Sequence, residues 1–170
     1  ATAGLSAPNI AAPLRHILRR QQNVTVLLGE VARLDPDAHR LELADGRTLA
    51  YDALVLATGA THAYFGRDDW AEFAPGLKTL EQATEIRRRI LTAFEEAERE
   101  ADLEQRRALL TFTVIGGGPT GVELAGAISE IARHTLAYDF RHINPADARV
   151  VLVEAGPRVL AQFPEELSQR

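Results

Sequence analysis

The chain has 170 residues, 46% of them hydrophobic, with 24 acidic against 19 basic side chains and a net charge of −5. That balance, with no basic cluster interleaved with aromatics, argues against a nucleic-acid surface. The absence of cysteine excludes disulfides, thiolate metal sites and a Cys-x-x-Cys redox pair within these residues, so any redox chemistry needs a bound cofactor. No apolar run reaches the roughly 18 residues of a membrane span and no signal peptide opens the chain.

Residues 1–12 lack periodicity, and the chain stops at Arg170 just as a new segment begins; a piece of something longer is expected. From Pro13 to Gln22, Leu14, Ile17 and Leu18 share one side of a short helix, with Arg15, Arg19 and Arg20 opposite. Val24–Leu28 reads as a strand ended by Gly29, and Val31–Leu34 as extended chain running to the turn Asp35-Pro36-Asp37. Arg40–Ala44, the hairpin signal Asp45-Gly46 and Arg47–Tyr51 complete a small antiparallel meander.

Tyr51–Ala60 is a continuous apolar run, the pattern of a strand buried on both faces, and it ends in Ala57-Thr58-Gly59. Two readings stand for that end: a cofactor contact at the carboxyl end of a sheet strand, or an ordinary strand-terminating glycine. Thr61–Gly76, with Tyr64, Phe65, Trp70, Phe73 and Pro75, reads as a hinge loop between two domains, either packed over a ligand or pinned by its own side chains.

Thr79-x-x-Gln82 is a capping box opening a long helix with Ala83, Ile86, Ile90, Phe94 and Ala97 on one face. Arg87–Arg89 followed by Glu95, Glu96, Glu98 and Glu100 read as its solvated side. The helix fades through Glu100–Arg107, and Leu109–Ile115 is the next strand. A helix from Pro119 to about Ala137, a turn at Asn144–Asp147, a strand Val150–Val153 ending in Glu154, and a helix start near Phe163–Glu166 follow.

The stretch with most chemistry is Gly116-Gly117-Gly118-Pro119-Thr120-Gly121, lying between that strand and that helix. Gly116-x-Gly118-x-x-Gly121 fits the dinucleotide fingerprint: Gly116 for the tight turn, Gly118 for close backbone approach to a pyrophosphate, Gly121 for helix–strand packing. Pro119 suits the first helical position, leaving the next N–H groups and the positive helix end free for phosphates. The alternative is a glycine-rich turn that serves packing alone.

Glu154, with Ala155 after it, ends the next strand, where a carboxylate accepts hydrogen bonds from the adenosine ribose and repels a 2′-phosphate, favouring NADH over NADPH. Its alternative is a surface carboxylate. Glu154 lies 33 residues past Gly121 against the usual interval of about 20, and the long connection Tyr138–Arg149 is the expected cause. The five histidines, His16, His39, His62, His134 and His142, have no metal-ligand spacing and read as surface or loop residues.

Residues 1–6, 51–60, 64–70 and 87–95, together with 116–126, 139–145 and 153–160, resemble type II NADH dehydrogenases, the single-subunit NADH:quinone oxidoreductases of the two-dinucleotide-domain flavoproteins. The resemblance covers nearly the whole chain; the fingerprint and Ala-Thr-Gly turn belong to the wider superfamily, the loop 64–70 and the connection 138–149 more to this family. It implies an α/β fold of FAD/NAD(P)-binding Rossmann-like domains, a parallel sheet with helices plus the small antiparallel meander, both domains partial. Residues 1–74 would be part of the FAD domain, with Ala57, Thr58 and Gly59 near the flavin, and 75–170 part of the NADH domain.

It also implies hydride transfer from NADH to FAD and then two electrons to a quinone of the respiratory chain. The protein would sit peripherally on the cytoplasmic face of the bacterial inner membrane, attached through segments outside these residues, with a homodimer as a possible assembly. The 170 residues alone are expected to be soluble and inactive. By the same resemblance Glu123 would lie near the nicotinamide–flavin contact, as the candidate catalytic residue; its alternative is an acid stabilised by the helix dipole. Arg67 stands where many relatives have histidine, so no role carries over to it. Two rival functions stay open: a related flavoprotein with a soluble, ferredoxin-type acceptor, and a non-catalytic dinucleotide-binding module.

Overall fold

A computed structural model describes residues 12–169, so the resemblance at residues 1–6 lies outside the described part. The chain divides into two units, one ending at Ala60 and the other starting at Thr61.

In the first unit a short helix α1 (Leu14–Ile17) precedes an antiparallel sheet in the order β1 (Val31–Asp35), β2 (Arg40–Leu43), β3 (Thr48–Ala50). Each turn of this meander is closed by its own acid. The Asp35 carboxylate accepts from Ala38 N–H at 2.9 Å and that of Asp45 from Arg47 N–H at 3.0 Å, with Gly46 at φ +85° where only glycine is unstrained. Leu43 is buried.

Two expectations fail here. Val24–Leu28 is irregular, and Tyr51–Ala60 forms no strand, leaving Val55 and Leu56 85% and 65% exposed. β-Propensity describes a side chain's fit to a pleated, half-buried surface. Neither segment has a ladder partner among the described residues; only Tyr51 N–H, at the start of the second, reaches a backbone carbonyl, that of His39 at 3.0 Å.

In the second unit Thr61–Gly76 is a loop with one tight helical turn, Asp68–Glu72, pinned by its own side chains. The Tyr64 hydroxyl donates to Ala74 C=O at 2.7 Å, and Arg67 both pairs with Asp69 and lies 5.0 Å from the Trp70 ring. Helix α2 (Leu80–Arg99) starts at the expected capping box: Thr79 Oγ1 accepts from Gln82 N–H while Gln82 Oε1 accepts from Thr79 N–H. It buries Ile90, Phe94 and Ala97.

The fade expected after Glu100 is in fact a separate helix, α3 (Leu103–Leu109), begun by Asp102, whose Oδ1 accepts from the N–H groups of Glu104 and Gln105. The strand therefore starts later, as β4 (Thr111–Ile115). Then come α4 (Pro119–Glu130), prolonged by a wider helical turn over Ile131–Thr135, a tight turn Pro145–Asp147, β5 (Arg149–Val153) and α5 (Glu165–Ser168).

β4 and β5 pair in parallel, Thr111 opposite Arg149 through to Ile115 opposite Val153, joined by a crossover connection that carries a helix, as parallel neighbours require. The core lies between this sheet and the helices: Phe94 is fully buried, with the rings of Phe112 and Phe140 5.4 and 6.1 Å from its own, and Val114, Ile128 and Ile131 close round it. The architecture is the α/β Rossmann-like fold with a parallel sheet plus a small antiparallel sheet.

Candidate dinucleotide site

The register of β4 and β5 sets residues 116–118 beside 154–156, because both strands end level. Gly116 carries the ladder one step on, donating from N–H to Val153 C=O at 2.8 Å, and turns away at φ +104°. The three glycines of the fingerprint then differ in what a side chain would meet. A Cβ on Gly121 would stand 1.8 Å from Gly116 C=O, so helix and strand close on each other only because nothing is there. A Cβ on Gly118 would meet no atom within 4 Å: the space above it is open. Gly117, which lies outside the three-glycine pattern, is itself confined, since a Cβ would come 2.9 Å from Glu154 Oε2 and 3.0 Å from Val159 Cγ1.

Gly118 is the N-cap of α4 and Pro119 its first residue. Among the described residues, the N–H groups of Gly118, Thr120 and Gly121 find no acceptor within the protein. Three free donors at the positive end of a helix, under open space, fit a diphosphate.

Glu154 closes the other side. Its Oε2 accepts from Gly117 N–H at 2.5 Å and its Oε1 from Gly156 N–H at 2.8 Å. The Gly156 and Gly117 N–H groups hold its carboxyl below the ordinary value, outweighing the desolvation that raises it. It is thus ionised at neutral pH and aimed. Each oxygen keeps a second lone pair for a sugar hydroxyl.

Gly116, Gly117, Gly118, Pro119, Thr120, Gly121, Glu154 and Ala155 are therefore brought together at one sheet end. Glu123 is exposed on the second turn of α4, without an ion pair among the described residues. Ala57, Thr58 and Gly59 belong to the other unit, where they are exposed, with Gly59 at φ +75° and open space about it. No group of three or more His, Cys, Asp or Glu side chains that could hold a metal is present among the described residues.

Three arrangements were invisible in sequence order. Glu98, read as part of a solvated face, is instead the anchor of the long connection: its carboxylate accepts from the N–H groups of Arg141, His142 and Ile143 and contacts His142 Nδ1 at 2.9 Å. His62 is half-buried, its Nδ1 without a partner and its ring so close over Gly76 that a Cβ there would overlap it. The segment after Glu154 is also built onto the glycine turn, with Leu160 N–H donating to Gly117 C=O at 2.6 Å. Partners 43 to 45 residues apart, as at Glu98, carry no local signal.

The family model for pyridine nucleotide-disulphide oxidoreductases matches residues 1–170. The chain belongs to that family. The chain is 50% identical over its whole length to the type II NADH:quinone oxidoreductase Ndh of Mycobacterium tuberculosis, and 52% identical over 94% of its length to NdhA of the same organism. It spans 37% and 35% of those proteins, about a third of their length.

In three dimensions it is similar to NDH2 from Plasmodium falciparum in complex with NADH, with a TM-score of 0.70 at 23% identity over 84% of this chain and 30% of that one. It is also similar to the putidaredoxin reductase of a covalent complex with putidaredoxin, with a TM-score of 0.58 at 26% identity over 98% of this chain and 34% of that one. The fold of the family member is thus that of dinucleotide-binding oxidoreductases.

Proposed function

We propose that these residues hold the NADH of a type II NADH:quinone oxidoreductase. The observation that carries the reading is the pairing of an open helix start at Gly118 with an oriented carboxylate at Glu154, and it is supported by the half-identity to two mycobacterial enzymes of that activity. On this reading the whole protein passes hydride from NADH to FAD and two electrons on to a quinone. The chain's own part is to bind and orient. The free N–H groups of Gly118, Thr120 and Gly121 take the diphosphate, Glu154 takes the adenosine ribose and rejects a 2′-phosphate, and Pro119 presets the helix start. Holding the reacting rings in reach is the protein's main contribution to such a transfer.

Ala57, Thr58 and Gly59 belong with the flavin on this reading. Glu123 adjusts nicotinamide placement or proton delivery to the quinone, and unaltered NADH-to-quinone turnover across pH in Glu123→Gln would remove that role. The full protein associates peripherally with the cytoplasmic face of the bacterial inner membrane through segments outside these residues, as a homodimer; no helix among the described residues is long and apolar enough to cross a membrane.

The test is the full-length protein: a flavin spectrum, quinone reduction by NADH, and much weaker use of NADPH are expected. A product without flavin, or equal affinity for the two coenzymes, overturns the reading. The likeness to putidaredoxin reductase favours a second one, a reductase with a soluble protein acceptor. Flavin reduction by NADH without quinone turnover would select it.

A further inference from the structure

We infer that Arg158 is a positioning residue for the adenosine end of the coenzyme, which it serves by locking residues 157–168 onto the glycine turn; this rests on the NADH-binding reading above. Both terminal nitrogens of its guanidinium are taken up by its own segment. Nη1 donates to Leu160 C=O at 3.2 Å and Ser168 Oγ at 2.6 Å, and Nη2 to Ala161 C=O and Phe163 C=O at 2.9 Å each. Ser168 Oγ in turn donates to Val159 C=O at 2.6 Å. A planar fork with fixed donors is the one side chain that can tie four acceptors of an irregular segment at once.

What the knot delivers lies at Gly117. It holds Leu160 at φ +52°, a conformation a leucine rarely adopts, and in that pose Leu160 N–H reaches Gly117 C=O while Val159 Cγ1 covers the Gly117 Cα. Gly117 N–H is held by Glu154. Gly117 is therefore gripped on both sides, once by the acid that would meet the ribose and once by the segment that Arg158 ties. If that segment loosens, Gly117 is free to turn, and both the aim of Glu154 and the height of the Gly118 backbone go with it.

An arginine shortly after the strand-end acid could instead receive a 2′-phosphate. Here Nη1 and Nη2 are already engaged, and the two roles differ in whether NAD+ binding falls. In the full-length protein, Arg158→Lys keeps the charge and loses the fork. A positioning role predicts a Kd for NAD+, read by calorimetry, weaker by about tenfold, with KM for NADH rising in step, kcat within about twofold, and NADP+ binding weakened no more than NAD+ binding. Ser168→Ala removes one of the four acceptors and shifts NAD+ binding the same way by about threefold.

Arg158→Lys with wild-type NAD+ affinity, or with NADP+ rather than NAD+ weakened, overturns the inference. Should that variant not fold, unchanged NAD+ affinity in Ser168→Ala does the same. A wild-type protein that binds no NAD+ overturns the functional reading itself, whereas a wild type that binds beside an indifferent Arg158→Lys overturns the role of Arg158 alone.

Discussion

Gly118 and Gly121 are three residues apart and do opposite things. Gly121 is a packing glycine: its missing Cβ is the clearance between α4 and the Gly116 carbonyl, so Gly121→Ala forces the helix off the strand. A loss of about 1–3 kcal/mol in urea unfolding is expected, ligand or no ligand. Gly118 has ordinary extended φ and ψ with nothing above it, so Gly118→Ala leaves stability unchanged and obstructs only what comes from outside. Its expected signature in the full-length protein is NADH binding at least about tenfold weaker with an unmoved unfolding midpoint. Equal effects of the two variants on stability would contradict this division.

Glu154 adds a pH dependence of known sign. Because its carboxyl is depressed in the fold by the N–H groups of Gly156 and Gly117, it stabilises the glycine turn above the ordinary carboxylate range. That contribution is lost as pH falls through the depressed value. Glu154→Gln is expected to remove this component and to narrow the preference for NADH over NADPH, both measurable by titrating coenzyme affinity against pH.

At the scale of elements, the long connection between α4 and β5 is what separates Gly121 from Glu154 by 33 residues, and Glu98 on α2 holds it. Burial alone would raise the Glu98 carboxyl; the N–H groups of Arg141, His142 and Ile143 and the His142 ring overcome this and bring it to about 2. Folded below unfolded means the contribution is complete above about pH 4.5 and disappears as pH drops toward 2. Glu98→Gln should therefore lower stability at neutral pH and flatten the acid limb of the stability curve, as pH-dependent thermal melts would record. A curve parallel to wild type between pH 5 and about pH 2 would deny Glu98 this role.

The strands divide similarly. β4 and β5 pair with each other along a shared edge, whereas Val24–Leu28 and Tyr51–Ala60 have strand-like residues and no ladder partner among those described.

For the molecule as a whole, the second unit turns on Phe94, which meets sheet and connection together. Phe94→Ala should cost about 3–5 kcal/mol, enough to unfold a marginal domain, and should abolish coenzyme binding without touching the site. A near-wild-type melting curve would show that Phe112 and Phe140 close the gap.

The sequence by itself determined the local grammar. The capping box at Thr79, the Asp45-Gly46 hairpin and the strand–glycine–helix run at 112–126 are contained within a few residues each, and short-range sterics and hydrogen bonds suffice to decide them. It placed Glu154 at a strand tip for the same reason. Only the tertiary structure decided that the tip lies beside Gly117, that Glu98 anchors a loop 43 to 45 residues away, that Arg158 faces its own carbonyls, and that two apolar runs join no strand ladder among the described residues. Those outcomes depend on which distant groups meet, and a one-dimensional pattern carries no record of a partner until strands take their register and helices pack.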